Sequence, residues 1–262
     1  MTLETSGSTT GDGAALELEN ISKSFTQADG SPLQVLDQIN FEVRESEFVS
    51  IMGPSGCGKS TLLNIIAGLE AADSGAMKRN DTEISPDDLS YAYVFQEPRL
   101  LNWRTCRENV HFALKGKGIP KEQREELSEH WLTKVGLGED MDNFPLWLSG
   151  GMRQRAGLAR ALATDPDILL MDEPFSSLDE VTARQLRSDL LVLWQDTQKQ
   201  IVFVTHDIKE AVFLSDRILF MNNDGKIFKK ASISHPRPRD MNDTELLEKE
   251  SELTDMFFEK LE

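Results

Sequence analysis

The stretch Gly53-Pro54-Ser55-Gly56-Cys57-Gly58-Lys59-Ser60-Thr61 decides the fold. It fits the pattern G-x-x-x-x-G-K-[S/T] at every fixed position. The glycines let backbone N–H groups turn inward around phosphate oxygens. A helix starting at Lys59 then points the positive end of its dipole at the same place. Lys59 is expected to reach the β- and γ-phosphates of ATP, and Ser60 to offer its hydroxyl to Mg²⁺. Thr61 is placed on the α-phosphate side. Working outward, residues 47–52 are a short apolar run leading into the loop, and 59–69 read as a helix. Strand, glycine loop, helix is an α/β unit, and a chance match in a glycine-rich turn would lack those flanks. Cys57 fits where a small residue is tolerated; apart from Lys59, nothing electropositive marks it as a reactive thiol.

The same alternation continues on both sides. Segments 16–21 and 35–43 are separated by Ala28-Asp29-Gly30-Ser31-Pro32, a hairpin-like pattern. The middle, from about 98 to 145, lacks strand signals and looks helical, notably over 121–135. It reads as a helical subdomain inserted between strands, spanning about 98–160. The α/β pattern resumes with a buried strand at 167–171, a helix at 180–197, a strand at 201–205 and a helix at 209–215. Segments 217–221 and 226–230 flank Asn222-Asn223-Asp224-Gly225, another hairpin. Residues 1–14, rich in Ser, Thr and Gly, are expected to be disordered. Residues 15–239 form the main domain and 240–262 an acidic helical tail.

A phosphate loop needs a carboxylate at a neighbouring strand end. Ile168-Leu169-Leu170-Met171-Asp172 supplies it, and Asp172 is expected to hold Mg²⁺ through water. Glu173 follows directly, a second acid where the γ-phosphate and an attacking water would meet. It is the candidate general base. A further motif, Leu148-Ser149-Gly150-Gly151-Met152-Arg153-Gln154, opens another helix and makes a second anion-binding N-terminus. One nucleotide does not need two full phosphate cradles from the same chain. The simplest geometry is a head-to-tail pair, in which Ser149, Gly150 and Gly151 of each copy cap the γ-phosphate held by the other copy's Lys59 loop.

Composition sets outer limits. The 262 residues carry a net charge of −17. A nucleic-acid binder must meet backbone phosphates with Lys and Arg, so that class is disfavoured. Nine acidic and two basic residues fall between Asp240 and Glu262, and such a run usually marks a solvated helix face. Cys57 and Cys106 form no CxxC and no metal spacing with His, which points to a reducing compartment. No stretch approaches the roughly 18 apolar residues of a membrane helix, so a membrane role would depend on a partner.

The run LSGGMRQR at 148–155 is a hallmark of ABC-type ATPases, and the chain resembles that family over about residues 16–239. The resemblance implies a P-loop NTPase core with a mixed central sheet, an N-terminal antiparallel β subdomain and an inserted helical subdomain. It also implies ATP hydrolysis coupled to transport. Gln96 in Tyr93-Val94-Phe95-Gln96-Glu97-Pro98 matches the glutamine loop, which senses Mg²⁺ and the attacking water. Ser177-Leu178-Asp179 matches the loop that crosses the dimer seam. His206 in Val204-Thr205-His206-Asp207 matches the switch histidine that contacts the γ-phosphate. Phe25 matches the aromatic that stacks on adenine. A kinase has no use for the LSGGMRQR cap, and a nucleotide sensor has no need of Glu173 and His206.

Three further segments look like importers of nitrate, sulfonates and taurine. They are 95–105, 205–217 and Pro236-Arg237-Pro238-Arg239-Asp240. This likeness implies two copies of the chain, membrane permease subunits and an extracytoplasmic solute-binding protein, with the chain peripheral on the cytoplasmic face of the membrane. Residues 99–109 would help form the groove for the permease, since Leu100, Leu101 and Trp103 are apolar where a loop should be polar. Asn102, Cys106 and Trp147 depart from the subfamily pattern. In the tail, Leu246, Leu247, Leu253, Met256, Phe257 and Leu261 recur at roughly helical spacing, as expected of a helix packed on its own domain.

Overall fold

A computed structural model describes residues 16–260. The expected disorder of residues 1–14 and the place of Leu261 lie outside the described residues. The chain opens with β1 (Leu16–Thr26) and β2 (Pro32–Val43), an antiparallel pair joined through the predicted Asp29-Gly30 turn. β3 (Phe48–Met52) is buried at all five positions and runs into the phosphate loop and α1 (Lys59–Ile66). That helix ends three residues earlier than its apolar pattern suggests, because Gly68 takes a left-handed φ of 66° and turns the chain.

Three strands lie in the stretch 70–97, which carries no strand pattern strong enough to read. They are β4 (Ser74–Arg79), β5 (Thr82–Ile84) and β6 (Tyr91–Val94). The helical subdomain then brings α2 (Cys106–Gly116), α3 (Lys121–Lys134) and α4 (Gly150–Leu162). After it come β7 (Ile168–Asp172), α5 (Glu180–Thr197), β8 (Gln200–Thr205), α6 (Ile208–Leu214), β9 (Arg217–Met221), β10 (Ile227–Ser232) and α7 (Thr244–Glu259).

These strands make two sheets. One is antiparallel, in the order β2-β1-β4-β5; the other is mixed, β10-β9-β3-β8-β7-β6. Within the mixed sheet, β9, β3, β8, β7 and β6 pair in parallel and β10 is antiparallel to β9. The period-two alternation of strands divides the core. Leu169, Met171, Ile201 and Phe203 face the helical subdomain and α5. Ile168, Leu170, Val202 and Val204 face α1 and the antiparallel sheet. Because both faces of β7 and β8 are covered, their ends are fixed, and Asp172 and His206 lie at or just past those ends.

A third apolar cluster holds the C-terminal end. Leu246, Leu253 and Phe257 of α7 pack with Ile208, Val212, Phe220 and Met52, while Leu247 faces outward. The tail helix is thus part of the packed domain. Between β10 and α7 the Pro236-Arg237-Pro238-Arg239 segment binds back. Buried Arg239 donates to the carbonyls of Val212, Phe213 and Ser215 at 2.7–3.0 Å, closing the C-terminal end of α6, and to those of Ile233 and His235.

Candidate active site

The phosphate loop is shaped by two close approaches. Gly58 caps α1 in the left-handed region, with φ 100°, and a Cβ there would stand 2.6 Å from the Val35 carbonyl oxygen. Only glycine satisfies both demands. Lys59, 5% exposed, lies beneath the loop and donates to the carbonyls of Gly53 at 2.9 Å and Pro54 at 3.0 Å. Its ammonium is 4.0 Å from Glu173 Oε1. Ser60 donates its hydroxyl to Asp172 Oδ1 at 3.0 Å. Lys59, Ser60, Thr61, Gln96, Asp172 and Glu173 line one open cleft of about 470 Å³, together with Ser55, Gly56, Gly58 and Val35. Residues far apart in the sequence are thus brought to one edge of the sheet.

At Asp172 burial works against hydrogen bonds and charge. Burial pushes the Asp172 carboxyl up; hydrogen bonds from Ser60 and Tyr93 and the Lys59 charge pull it down, while Glu173 adds to the rise. Tyr93 precedes the glutamine loop near the end of strand β6. Its hydroxyl stands 3.3 Å from Asp172 Oδ2 and 3.4 Å from Asn64 Oδ1, and burial pushes its phenol up. Asn64 has no motif to reveal it. Cys57 is buried in the loop and burial raises its thiol, so it lacks the thiolate character of a reactive cysteine.

Glu173 stands in the left-handed region, with φ 43°, and its N–H is tied to the Val204 carbonyl at 2.9 Å. This turn lifts its carboxylate off the end of β7. Glu173 Oε2 lies 2.8 Å from His206 Nδ1. Behind His206 is a buried polar chain. Thr205 Oγ1 donates to Glu210 Oε2 at 2.6 Å and accepts from the Asp207 N–H at 3.0 Å. Glu210 Oε1 is 3.9 Å from Arg187, which donates to both carboxylate oxygens of Glu180 at 2.9 Å. Burial pushes the Glu210 carboxyl up to about 7, opposed first by the Thr205 hydrogen bond.

Ser149 is the N-cap of α4, its Oγ accepting from the Met152 N–H at 3.2 Å. A hydroxyl that accepts there keeps its own hydrogen to donate outward. A Cβ on Gly151 would fall 2.5 Å from the Thr182 methyl, and one on Gly150 3.2 Å from Leu178. The helix end therefore rests directly on the Ser177-Leu178-Asp179 loop. Asp179 itself caps α5 by accepting from the Thr182 N–H at 3.0 Å. Gln154, expected to act with Ser149, Gly150 and Gly151 in the signature motif, lines the same cleft as Gly150. It is 4% exposed and turns inward to donate to the Phe95 carbonyl at 3.3 Å. Phe25, at the end of β1, is 39% exposed, with the Lys23 ammonium 5.1 Å from its ring centre. It is a surface ring rather than a core residue.

Gly150 lines a second cleft of about 400 Å³, with Ser177, Glu97 and Asn102, separate from the cleft that holds Lys59. A third and larger groove of about 880 Å³ lies on the helical subdomain, lined by Arg104, His111, Phe112 and Arg124 among others. Trp103 beside it is 73% exposed and Phe112 53%. Among the described residues, no helix is long and apolar enough to cross a membrane.

Set against known proteins, the chain matches the family described as "ABC transporter" over residues 36–176. It is 43% identical over 226 residues to the bicarbonate transport ATP-binding protein CmpC of Synechococcus elongatus, covering 85% of this chain and 34% of that longer protein. It is 41% identical over 216 residues to the taurine import ATP-binding protein TauB of Roseobacter denitrificans, covering 82% of this chain and 81% of that one. Its fold is similar to that of a dimeric ATP-binding cassette solved in a post-hydrolysis state with ADP and Pi. The TM-score is 0.74 at 32% identity, covering 84% of this chain and 100% of that one.

Proposed function

This chain belongs to the ABC transporter family as an ATP-binding subunit, and we propose on that premise that it hydrolyses ATP between two copies of itself. In this reading it energises uptake of a small nitrate-, sulfonate- or taurine-like solute through separate permease subunits. The observation that carries the two-copy arrangement is the separation of the half-sites. Lys59, Ser60, Asp172 and Glu173 line one cleft, and Gly150 lines another. A second copy turned head to tail would bring Ser149, Gly150 and Gly151 over the first copy's phosphates. The dimeric relative bound to ADP and Pi supports this assembly.

The chemistry follows from the charges. The triphosphate enters the Lys59 loop, where backbone N–H groups, the α1 terminus and the Lys59 ammonium meet its oxygens. Ser60 and Asp172, 3.0 Å apart, with the Gln96 amide oxygen, form an all-oxygen donor set that suits Mg²⁺. When bound, Mg²⁺ would neutralise charge on the phosphates. Glu173 orients a water and takes its proton as the water oxygen bonds to the γ-phosphorus and the bond to the bridging oxygen breaks. ADP leaves with the released charge, which Lys59 and the trans Ser149 cap stabilise. His206 holds Glu173 through Nδ1 and leaves Nε2 for the γ-phosphate. Phe25 supplies a ring face for adenine. With the γ-phosphate gone, the contacts bridging the copies are lost and the pair opens.

The permease is assigned to the helical subdomain, where the 880 Å³ groove lies beside exposed Trp103 and Phe112. The chain then sits peripherally on the cytoplasmic face, and an extracytoplasmic solute-binding protein delivers the solute. No residue described here reads that solute. Glu173→Gln tests the central claim: turnover is expected to fall by about 10²–10⁴-fold while ATP drives a stable dimer visible by light scattering. Retained hydrolysis would remove Glu173 as the base.

A further inference from the structure

Asp172 is held at both carboxylate oxygens. Oδ1 accepts from the Ser60 hydroxyl at 3.0 Å, and Oδ2 accepts from the Tyr93 hydroxyl at 3.3 Å. The second donor comes from the neighbouring strand. β6 pairs in parallel with β7, and Tyr93 stands opposite Leu170. Side chains alternate along a strand, so Tyr93, Leu170 and Asp172 share one face of the sheet, and Asp172 lies about 6.6 Å farther along it. A phenol spans that distance. Asp172 lines the nucleotide cleft, while Tyr93 stands behind it, outside the lining. The Tyr93 ring has little freedom. It stacks on Phe95 with centroids 4.2 Å apart and planes 20° from parallel, and it packs against the cluster that holds Leu170 and Ile66. Its hydroxyl is also 3.4 Å from Asn64 Oδ1 on α1. A phenol has one hydrogen for these two acceptors. The ionised carboxylate is the stronger acceptor, so the hydrogen goes to Asp172.

We propose that Tyr93 is a positioning residue for Asp172, its hydroxyl setting the carboxylate to receive the Mg²⁺ that accompanies ATP. This rests on the reading, given above, that Ser60 and Asp172 hold the ion. The terminal torsion of an aspartate is broad, so a carboxylate turns freely unless its oxygens are held. Ser60 holds one oxygen, but it is itself among the donors that have to be positioned. Tyr93 holds the other from outside the cleft, so its grip does not depend on what the cleft contains. Mg²⁺ tolerates little departure from octahedral geometry, and a carboxylate set in advance loses less freedom on binding it. Partners of a metal ligand are worth about 10–100-fold in metal affinity. A separation of 3.3 Å is long for a hydroxyl donor, which puts Tyr93 at the lower figure.

The test measures binding of a non-hydrolysable ATP analogue to the full chain by calorimetry, with and without Mg²⁺. The proteins are the wild type, Tyr93→Phe, Asp172→Asn, the double variant and Tyr91→Phe. Phe keeps the ring and its stack on Phe95 and removes only the hydroxyl. Tyr93→Phe is expected to weaken binding about tenfold with Mg²⁺ present and by less than about twofold without it. A merely structural role would weaken both alike. In the Asp172→Asn background the same change is expected to cost less than about twofold, because it acts through Asp172. Tyr91, the chain's other tyrosine, stands opposite Ile168, farther from Asp172, and Tyr91→Phe is expected to bind as the wild type does. Full affinity of Tyr93→Phe with Mg²⁺, equal weakening with and without the ion, an undiminished loss in the Asp172→Asn background, or the same ion-dependent loss in Tyr91→Phe would overturn the proposal. Asp172→Asn separates the two ideas. If it responds to Mg²⁺ as the wild type does, the reading of Asp172 as an ion ligand fails and takes the proposal with it. If it loses the response while Tyr93→Phe keeps it, only the role of Tyr93 fails.

Discussion

Glu210→Gln is expected to change how stability depends on pH. The Glu210 carboxyl is raised by burial from 4.5 to about 7 in the folded chain. A carboxyl raised on folding binds its proton more tightly in the folded state. Its contribution is fully present below the unfolded value near 4.5 and is lost as pH rises through the folded value near 7. At about 1.36 kcal/mol per unit, the loss across that window is about 3 kcal/mol. Gln keeps the size of the side chain and an acceptor for the Thr205 hydroxyl, but it never ionises. Urea unfolding of both proteins at half-unit steps from pH 5 to pH 9 isolates the term, because the other carboxylates are common to both. The wild type is expected to lose stability relative to Glu210→Gln up to about pH 7.5 and to run parallel to it above. Parallel curves throughout would refute the reasoning and show that Arg187, 3.9 Å away, already holds Glu210 ionised.

Two further perturbations probe the site. Phe25→Ala should weaken ATP binding about tenfold or more, as expected for one lost base–aromatic stack of about 1–3 kcal/mol, while Phe25→Tyr should not; equal affinities of all three proteins by nucleotide titration would place adenine elsewhere. Gly151→Ala puts a methyl 2.5 Å from the Thr182 methyl, which should destabilise the fold by about 1–3 kcal/mol through overpacking and cut turnover. An unchanged thermal midpoint would mean that α4 and α5 separate at no cost.

What the sequence reveals depends on how far apart the cooperating atoms lie along the chain. The phosphate loop is legible because all its groups fall within nine consecutive residues. Asp172 and Glu173 are legible because a buried apolar strand must end where its polar residues begin. β4, β5 and β6 are not, because they run for six, three and four residues and exist through pairing of β4 with β1, β5 with β4 and β6 with β7. Tyr93 reaches Asp172 only because register sets it opposite Leu170. The inward turn of Gln154 is set by the helix face that meets Phe95, which no local pattern encodes. Trp147, noted as a departure, is 72% exposed, and nothing in the structure explains it.

The five carbonyls gathered by Arg239 have a bearing on where this domain ends. The groups that handle phosphate stop at His206, and the match to the family description ends at residue 176. The physical boundary is drawn later, by hydrogen bonds. A chain cut after Ser232 would keep every group that handles phosphate, yet lose the plug on the C-terminal end of α6 and, with α7, a wall of its third core. The turn that presents His206 would then hang from a helix open at its far end. The last thirty or so residues are best regarded as the keystone of the histidine's mounting, and any minimal ATPase cut from this chain has to keep them.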